Sequence, residues 1–265
     1  MTAPRGAAAV MIACNGIVGM CLLWGGARHH KQGFQLHGAS AALAVLAALT
    51  ILTLILPNVA TAAPGPFFST LQLVFAGIVS LVLYVSFVFV QTVRHRDYFL
   101  PLEDGEDVHA PPPSNQAALI SLGLLLVSLV AIVGLSKALT PTLEFGLAHL
   151  NAPKAVVGIV IAALVLLPEA LAALRAARLN RLQTSLNLAL GSALASIGLT
   201  IPTVGVVSIV LDQPLELGLG DKDQMLLWLT LLVGVVTLGT GRTTVLQGIV
   251  HLVIFATFLF LAVVP

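Results

Sequence analysis

One acidic residue, Glu169, lies inside an apolar stretch long enough to cross a membrane. The surrounding sequence, from Leu164 to Pro202, reads LVLLPEALAALRAARLNRLQTSLNLALGSALASIGLTIP. No other apolar run of membrane length contains an acid. Because an ionised carboxylate is costly in hydrocarbon, an intramembrane glutamate indicates a functional site. The chemistry open to such a group is the binding of a cation or a proton.

Pro168 stands directly before Glu169 and is expected to kink its helix. It cannot donate a hydrogen bond to the Leu164 carbonyl, which would be left free as an oxygen ligand for a hard cation. The alternative is an ordinary kink, with Glu169 paired to Arg175 or Arg178. Glu169 lies six residues before Arg175, nearly two helical turns deeper in the membrane, and this favours the cation site.

The next apolar run is rich in small and hydroxyl residues. Ser192, Ser196 and Thr200 recur every four residues and share one helical face. Such faces more often pack helices than bind ions, so each hydroxyl is interpreted either as a packing group or as a cation ligand. Asn187, earlier on the same helix, is expected to support Glu169 or to cap the helix start. The residues that favour close helix approach and a helix break are Gly191, Gly198 and Pro202.

The composition places the chain among the polytopic membrane proteins. Hydrophobic residues make up 58% of the chain and charged residues 9%, whereas soluble domains carry about 25% charged residues. The net charge is +1, with basic residues spread among loops, so no nucleic-acid surface is predicted. Cys14 and Cys21 lie about 10 Å apart along one helix and are predicted to be unbridged. No nucleophile elbow, phosphate loop or zinc-ligand spacing favours an enzyme, and no cofactor is predicted.

The predicted fold is all-α, with about eight transmembrane helices. Basic residues in alternate loops number eight on one side and four on the other, which places the first side in the cytoplasm and both termini outside. The predicted location is the bacterial inner, or plasma, membrane. The apolar runs are 9–26, 41–62, 67–92, 117–139, 155–176, 185–211, 225–239 and 247–264.

Residues 94–116 divide the chain into a first part, 1–93, with about three helices, and a second part, 117–265, with about five. This segment contains LEDGEDVHAPPPSN, whose acids and prolines favour a flexible cytoplasmic linker. The less favoured alternative is a regulatory cation site, although the spacing does not fit an EF-hand loop. Its ligands would be Glu103, Asp104, Glu106 and Asp107.

Two windows with similar small and aliphatic patterning suggest an inverted repeat. Residues Asn15 to Gly26 align without gaps on Gly191 to Pro202, at low identity. The windows fall in the first and sixth predicted spans, which are five spans apart. Because five is an odd number, the two windows cross the membrane in opposite orientations, as an inverted repeat requires.

The remaining candidates are histidines and one arginine. His251, inside the last span, is predicted to be buried and hydrogen-bonded rather than a proton relay. His29, His30 and His37 favour a solvated basic loop over a metal cluster. Arg242, before the last helix, is expected to bind backbone carbonyls or lipid headgroups.

The stretch PEALAALRAARLNRLQTSLNLALGSALASIGLTIP resembles the second conserved repeat of the calcium/proton antiporters. These belong to the calcium/cation exchanger superfamily, and the bacterial ChaA branch is the most similar. The flanking NAPKAVVGIVIAALVLLPEAL, the closing TGRTTVLQGIVHLVIFATFLFL and the acidic linker extend the resemblance over nearly the whole chain.

The resemblance implies two inverted five-helix halves preceded by one extra helix. It implies exchange of calcium, and in this branch also of sodium or potassium, for protons by alternating access. Glu169 would be the second-repeat carboxylate that binds cation and proton in turn, and Gly191 and Ser192 would line the same site. Ala195 stands where a glutamine is common in the family, so ion selectivity stays open.

The resemblance also implies that the first three helices of that fold, with the first-repeat carboxylate, are absent from this chain. Calcium facing one carboxylate keeps a net positive charge in a low-dielectric site, whereas a monovalent cation or a proton is balanced. Two functions therefore remain: a transporter, completed by a partner chain or a homo-oligomer, or a truncated, non-transporting remnant or accessory half. The other expected partners are membrane lipid and the transported cations and protons.

Overall fold

The computed structural model describes residues 3–62, 65–100, 114–149, 153–212 and 215–264. Long helices dominate these ranges, as the sequence predicts. The α-helices are α1 (Ala3–Met11), α2 (Val18–His29), α3 (Leu36–Thr50), α4 (Thr70–Phe89), α5 (Asn115–His149), α6 (Lys154–Val165), α7 (Leu167–Arg178), α8 (Leu182–Gly198), α9 (Thr200–Val210), α10 (Asp221–Leu238) and α11 (Val245–Val263).

Several of these helices join into longer segments that could cross a membrane. A π-helix, Ile12–Ile17, connects α1 to α2, and another, Ile51–Ile55, continues α3. Within the described ranges, five segments are long and apolar enough to span, and the bent pair α6–α7 would be a sixth. A helix occupies each of the predicted apolar runs, which confirms the all-α membrane class. The total of about eight spans stays a prediction.

Helix α5 is longer than the sequence pattern predicts. It runs for 35 residues and continues past position 139 through Pro141 to His149. The polar residues after position 139 end the hydropathy signal but not the helix. Membrane helices tolerate an internal proline because neighbouring groups can satisfy the freed carbonyl.

The first membrane segment, Ala7–His29, lies at the centre of the bundle. Of its most apolar window, 78% is buried, against 28% for α11. It packs against α11 on one side and against α7 and α8 on another. Helix α8 also packs against α3 and α4, so helices from 1–93 and from 117–265 share one hydrophobic core. The division into two membrane halves stays a prediction.

The loops assigned to one side of the membrane meet at one end of the bundle. Strand β1 (Gln32–Gly33), after the first segment, pairs antiparallel with β2 (Arg242–Thr243), before α11. The Gln32 amide also donates to the Ala177 carbonyl at the end of α7, at 3.1 Å. At the other end, the Leu219 amide donates to the Leu54 carbonyl at 3.0 Å. Two-residue strands leave no periodic signal, so the sequence did not predict the ladder.

Candidate functional site

The helix that carries Glu169 is broken immediately before it. Helices α6 and α7 meet at 56°, and the break is at Leu166, with φ −84° and ψ −2°. Pro168 lies in the first turn of α7, where a missing N–H costs little. The Leu166 amide donates to the Ala162 carbonyl at 3.0 Å. The Leu164 carbonyl as a cation ligand stays a prediction.

Glu169 occupies the third position of α7, at the positive end of the helix dipole. The residue is half-buried, and its Oε2 atom is buried without a hydrogen-bond partner among the described residues. It is the only acid between Lys154 and Val210. No ion pair joins it to an arginine in the described structure. Arg178 instead places its guanidinium 4.0 Å from the Trp24 ring centroid, so the pairing alternative is not observed.

Among the described residues, no cation or hydrogen-bond donor balances the Oε2 atom of an ionised Glu169. Removing a carboxylate from water costs several kcal/mol. The helix dipole stabilises a negative charge at such a position by only about 0.3–1 kcal/mol. The described residues thus leave Oε2 of Glu169 without a balancing partner.

Helix α8 places two unused hydroxyl groups on the face predicted from the sequence. Ser192 and Ser196 are half-buried and make no hydrogen bond in the described part of the chain. Buried hydroxyls on other helices, such as Ser80, bond to the carbonyl four residues earlier at 2.7 Å. A Cβ on Gly191 would meet nothing within 4 Å, so this face is not closely packed. The serine oxygens are free to act as ligands.

Helices α7 and α8 pack against each other and share a side-chain hydrogen bond. The Ser185 hydroxyl, on α8, donates to the Ala173 carbonyl of α7 at 2.7 Å. Asn180, between the helices, has φ +58° and provides the left-handed turn that reverses the chain. Glu169 and the serine face therefore belong to one helical hairpin.

The break in the second helix lies at Leu199 rather than at Pro202. Helix α8 ends at Gly198 and α9 starts at Thr200, which places Pro202 in the first turn of α9. A proline four residues later cannot donate to the Gly198 carbonyl, so the chain restarts the helix before it. The Tyr84 ring of α4 packs against Gly198, where there is no room for a Cβ.

Asn187 is engaged away from Glu169. Its amide nitrogen donates to the Phe99 carbonyl at 2.6 Å, and its oxygen accepts from Gln183 at 2.9 Å. The Gln183 oxygen accepts in turn from the Gln35 backbone amide at 2.7 Å. Asn187 thus holds two loops at the basic end of the bundle, because both ends of its amide are used there.

The other candidates have separate environments. His251 is 2% exposed and hydrogen-bonded, which confirms that prediction. Cys14 and Cys21 are buried and unbridged. The described residues hold no group of three metal-binding side chains, and His29 contacts the Arg178 carbonyl at 3.1 Å. The four acids of the linker, residues 103–107, lie outside the described ranges.

One buried polar residue, Asn15, was not predicted from the sequence as a functional residue. It lies in the π-helix of the first segment and is 0% exposed. A polar side chain in an apolar run was the available signal, but its partners lie far away in the sequence.

The geometry can be compared with known proteins. Residues 6–93 and 120–264 match the family described as "Sodium/calcium exchanger protein". The chain belongs to this family. It is 52% identical over 261 residues to the "Putative ionic transporter y4hA" of Sinorhizobium fredii, covering 97% of this chain and 70% of that protein. It is 34% identical over 254 residues to the "Sodium-potassium/proton antiporter ChaA" of Escherichia coli, covering 94% and 69%.

Solved structures share the fold. The chain superposes on YfkE with a TM-score of 0.76 at 16% identity, covering 99% of this chain and 74% of YfkE. For the H+/Ca2+ exchanger CAX the TM-score is 0.72 at 15% identity, covering 97% and 64%. The resemblance to calcium/cation exchangers is thus confirmed. The protein is an integral membrane cation exchanger, and a non-transporting remnant is not favoured.

Proposed function

We propose that this protein exchanges a monovalent cation, Na⁺ or K⁺, for a proton, and that Glu169 binds the two in turn. The observation that carries the proposal is the buried, unpartnered Oε2 of Glu169 at the break between α6 and α7. A carboxylate in this position gains most from a ligand of one positive charge.

A single carboxylate makes the binding of cation and proton mutually exclusive. The bound proton and the bound monovalent cation each neutralise Glu169, so both loaded states cross the membrane at similar cost. The empty, ionised state is penalised by desolvation. This difference couples the two fluxes, because the site changes sides readily only when it is loaded.

The preference for a monovalent cargo has two supports. Glu169 is the only acid between Lys154 and Val210, so this part of the chain offers a calcium ion one compensating charge, which balances a monovalent cation fully. The relative from Escherichia coli, at 34% identity, is named a sodium-potassium/proton antiporter. The oxygens we propose beside Glu169 are the Ser192 and Ser196 hydroxyls and the Gly198 carbonyl. Asn187 is not included, since both ends of its amide are occupied.

We propose that the end of the bundle with the β1–β2 ladder faces the cytoplasm of a bacterial cell. The loops at this end carry most of the basic residues, which are retained on the cytoplasmic side of the plasma membrane. In this orientation both termini face outward and the 94–116 linker is cytoplasmic.

Reconstitution of the purified chain in liposomes tests the function. With a pH dye inside the vesicles, an inward Na⁺ or K⁺ gradient is expected to drive protons out and to raise the internal pH. The response should persist when the membrane potential is clamped, because the exchange moves no net charge. A response to calcium alone would overturn the monovalent assignment, and no response to any of the three cations would overturn the proposed function.

A further inference from the structure

Four buried polar side chains connect the first segment to α10 and α11. Asn15 contributes its amide, α10 contributes Thr230 and Thr237, and α11 contributes His251. All four are at most 2% exposed. We call them the Asn15 cluster.

The hydrogen bonds of the Asn15 cluster have a defined direction. The Thr230 hydroxyl donates its one proton to the Leu226 carbonyl at 2.7 Å, so it accepts from the Asn15 amide nitrogen at 2.8 Å. The Asn15 oxygen then faces His251 Nδ1 at 2.9 Å, and Nδ1 must carry a proton. His251 Nε2 lies 3.2 Å from the Thr237 hydroxyl, which can donate to it. A neutral imidazole thus satisfies every member of the cluster.

Close packing around the cluster leaves little freedom for the first segment. Any Cβ on Gly19 would lie 3.1 Å from the His251 Cβ, and one on Gly248 would lie 2.5 Å from the Leu23 backbone nitrogen. Small residues of this kind let membrane helices approach closely. The π-helix that carries Asn15 is a form found mostly as a single turn inside α-helices, frequently at functional sites.

Residues of the cluster and of α8 line a common small cavity. Its lining includes Cys14 of the π-helix, Thr230, His251 and Leu190 of α8. Leu190 directly precedes Gly191 and Ser192. The first segment also packs along α7, which carries Glu169. A shift of the first segment would therefore reach both helices of the site.

We propose that Asn15 and His251 are positioning residues for cation binding. Their hydrogen bond fixes the face that the first segment presents to α7 and α8, and thereby the spacing of Glu169 and the α8 serines. This inference rests on the proposed exchange function. Neither residue contacts the cation; each acts through helix position.

Four variants in reconstituted liposomes test the inference. His251→Leu removes both ring hydrogen bonds, whereas His251→Asn keeps a donor at the place of Nδ1. Thr230→Val removes the hydroxyl that orients Asn15. Thr257→Val is its matched control, since Thr257 is exposed on α11 and its hydrogen bond in the described part of the chain goes to the Val253 carbonyl of the same helix. We expect His251→Leu to raise the KM for Na⁺ about tenfold with Vmax nearly unchanged, and His251→Asn to restore it.

The outcomes separate positioning from folding and from the proposed function. An unchanged KM in folded His251→Leu, or no rescue by His251→Asn, would overturn the inference. If His251→Leu does not fold, Thr230→Val decides, with a raised KM expected relative to Thr257→Val. In a Cys21→Ser background, alkylation of Cys14 should accelerate in His251→Leu even if the unmutated chain exchanges no ions. If the unmutated chain exchanges no ions, the proposed function is wrong. If Cys14 is alkylated at the same rate with and without His251→Leu, the positioning role is wrong.

Discussion

Glu169→Gln is expected to abolish cation/proton exchange while leaving the fold intact. Glutamine keeps the size of the side chain but can neither be ionised nor carry the exchanged proton. Removing one partner of a buried ion pair costs about 3–5 kcal/mol, so cation-driven proton flux should fall by about 100-fold or more. The measurement is the internal pH of liposomes after a Na⁺ or K⁺ jump.

Two further variants make this result specific. Glu216→Gln removes an exposed carboxylate from the loop before α10 and should leave the flux unchanged. Glu169→Asp keeps the charge on a shorter side chain and should retain partial flux with a raised KM. If Glu169→Gln still exchanged cations for protons at the wild-type rate, the assignment of the site would be wrong.

Gly248→Ala is expected to destabilise the bundle strongly. The added Cβ would lie 2.5 Å from the Leu23 backbone nitrogen, 2.9 Å from the Leu23 Cα and 3.0 Å from the Gly19 carbonyl oxygen. All three are backbone atoms, so the first segment and α11 must separate. Overpacking of this kind costs about 1–3 kcal/mol, and the cost should appear as a lower midpoint of thermal unfolding in detergent.

The matched control is Gly123→Ala in α5. A Cβ at Gly123 would meet nothing within 4 Å, and alanine is the better helix former. This variant should be neutral or slightly stabilising. Equal unfolding midpoints for the two variants would show that α11 and the first segment do not pack as closely as described.

The features of the site that could be predicted from sequence are those that depend on a residue and its neighbours along the chain. Glu169 is conspicuous because one charge among apolar residues is costly, and Pro168 marks the bend because proline cannot donate a hydrogen bond. The position of each break was less predictable. The chain ends the helix at Leu166 and Leu199, before each proline, so that the proline enters the first turn of the next helix.

The interactions that sequence did not reveal join residues far apart in the chain. Asn15 and His251 are 236 positions apart, and Asn187 and the Phe99 carbonyl are 88 apart. Periodicity and spacing act within one helix and cannot pair such residues. Asn187 illustrates the consequence, because its position on α8 suggested a supporting partner for Glu169, whereas tertiary packing uses both ends of its amide at the basic end of the bundle.

The most direct test of Glu169 as the shared site is proton release on cation binding. In weakly buffered detergent solution, at a pH where Glu169 is protonated, adding Na⁺ to the purified protein should release close to one proton per cation bound. Glu169→Gln should release none, and Glu216→Gln should match the unmutated protein. Cation binding without proton release, or equal release from Glu169→Gln, would contradict competition of the two ions for this carboxylate.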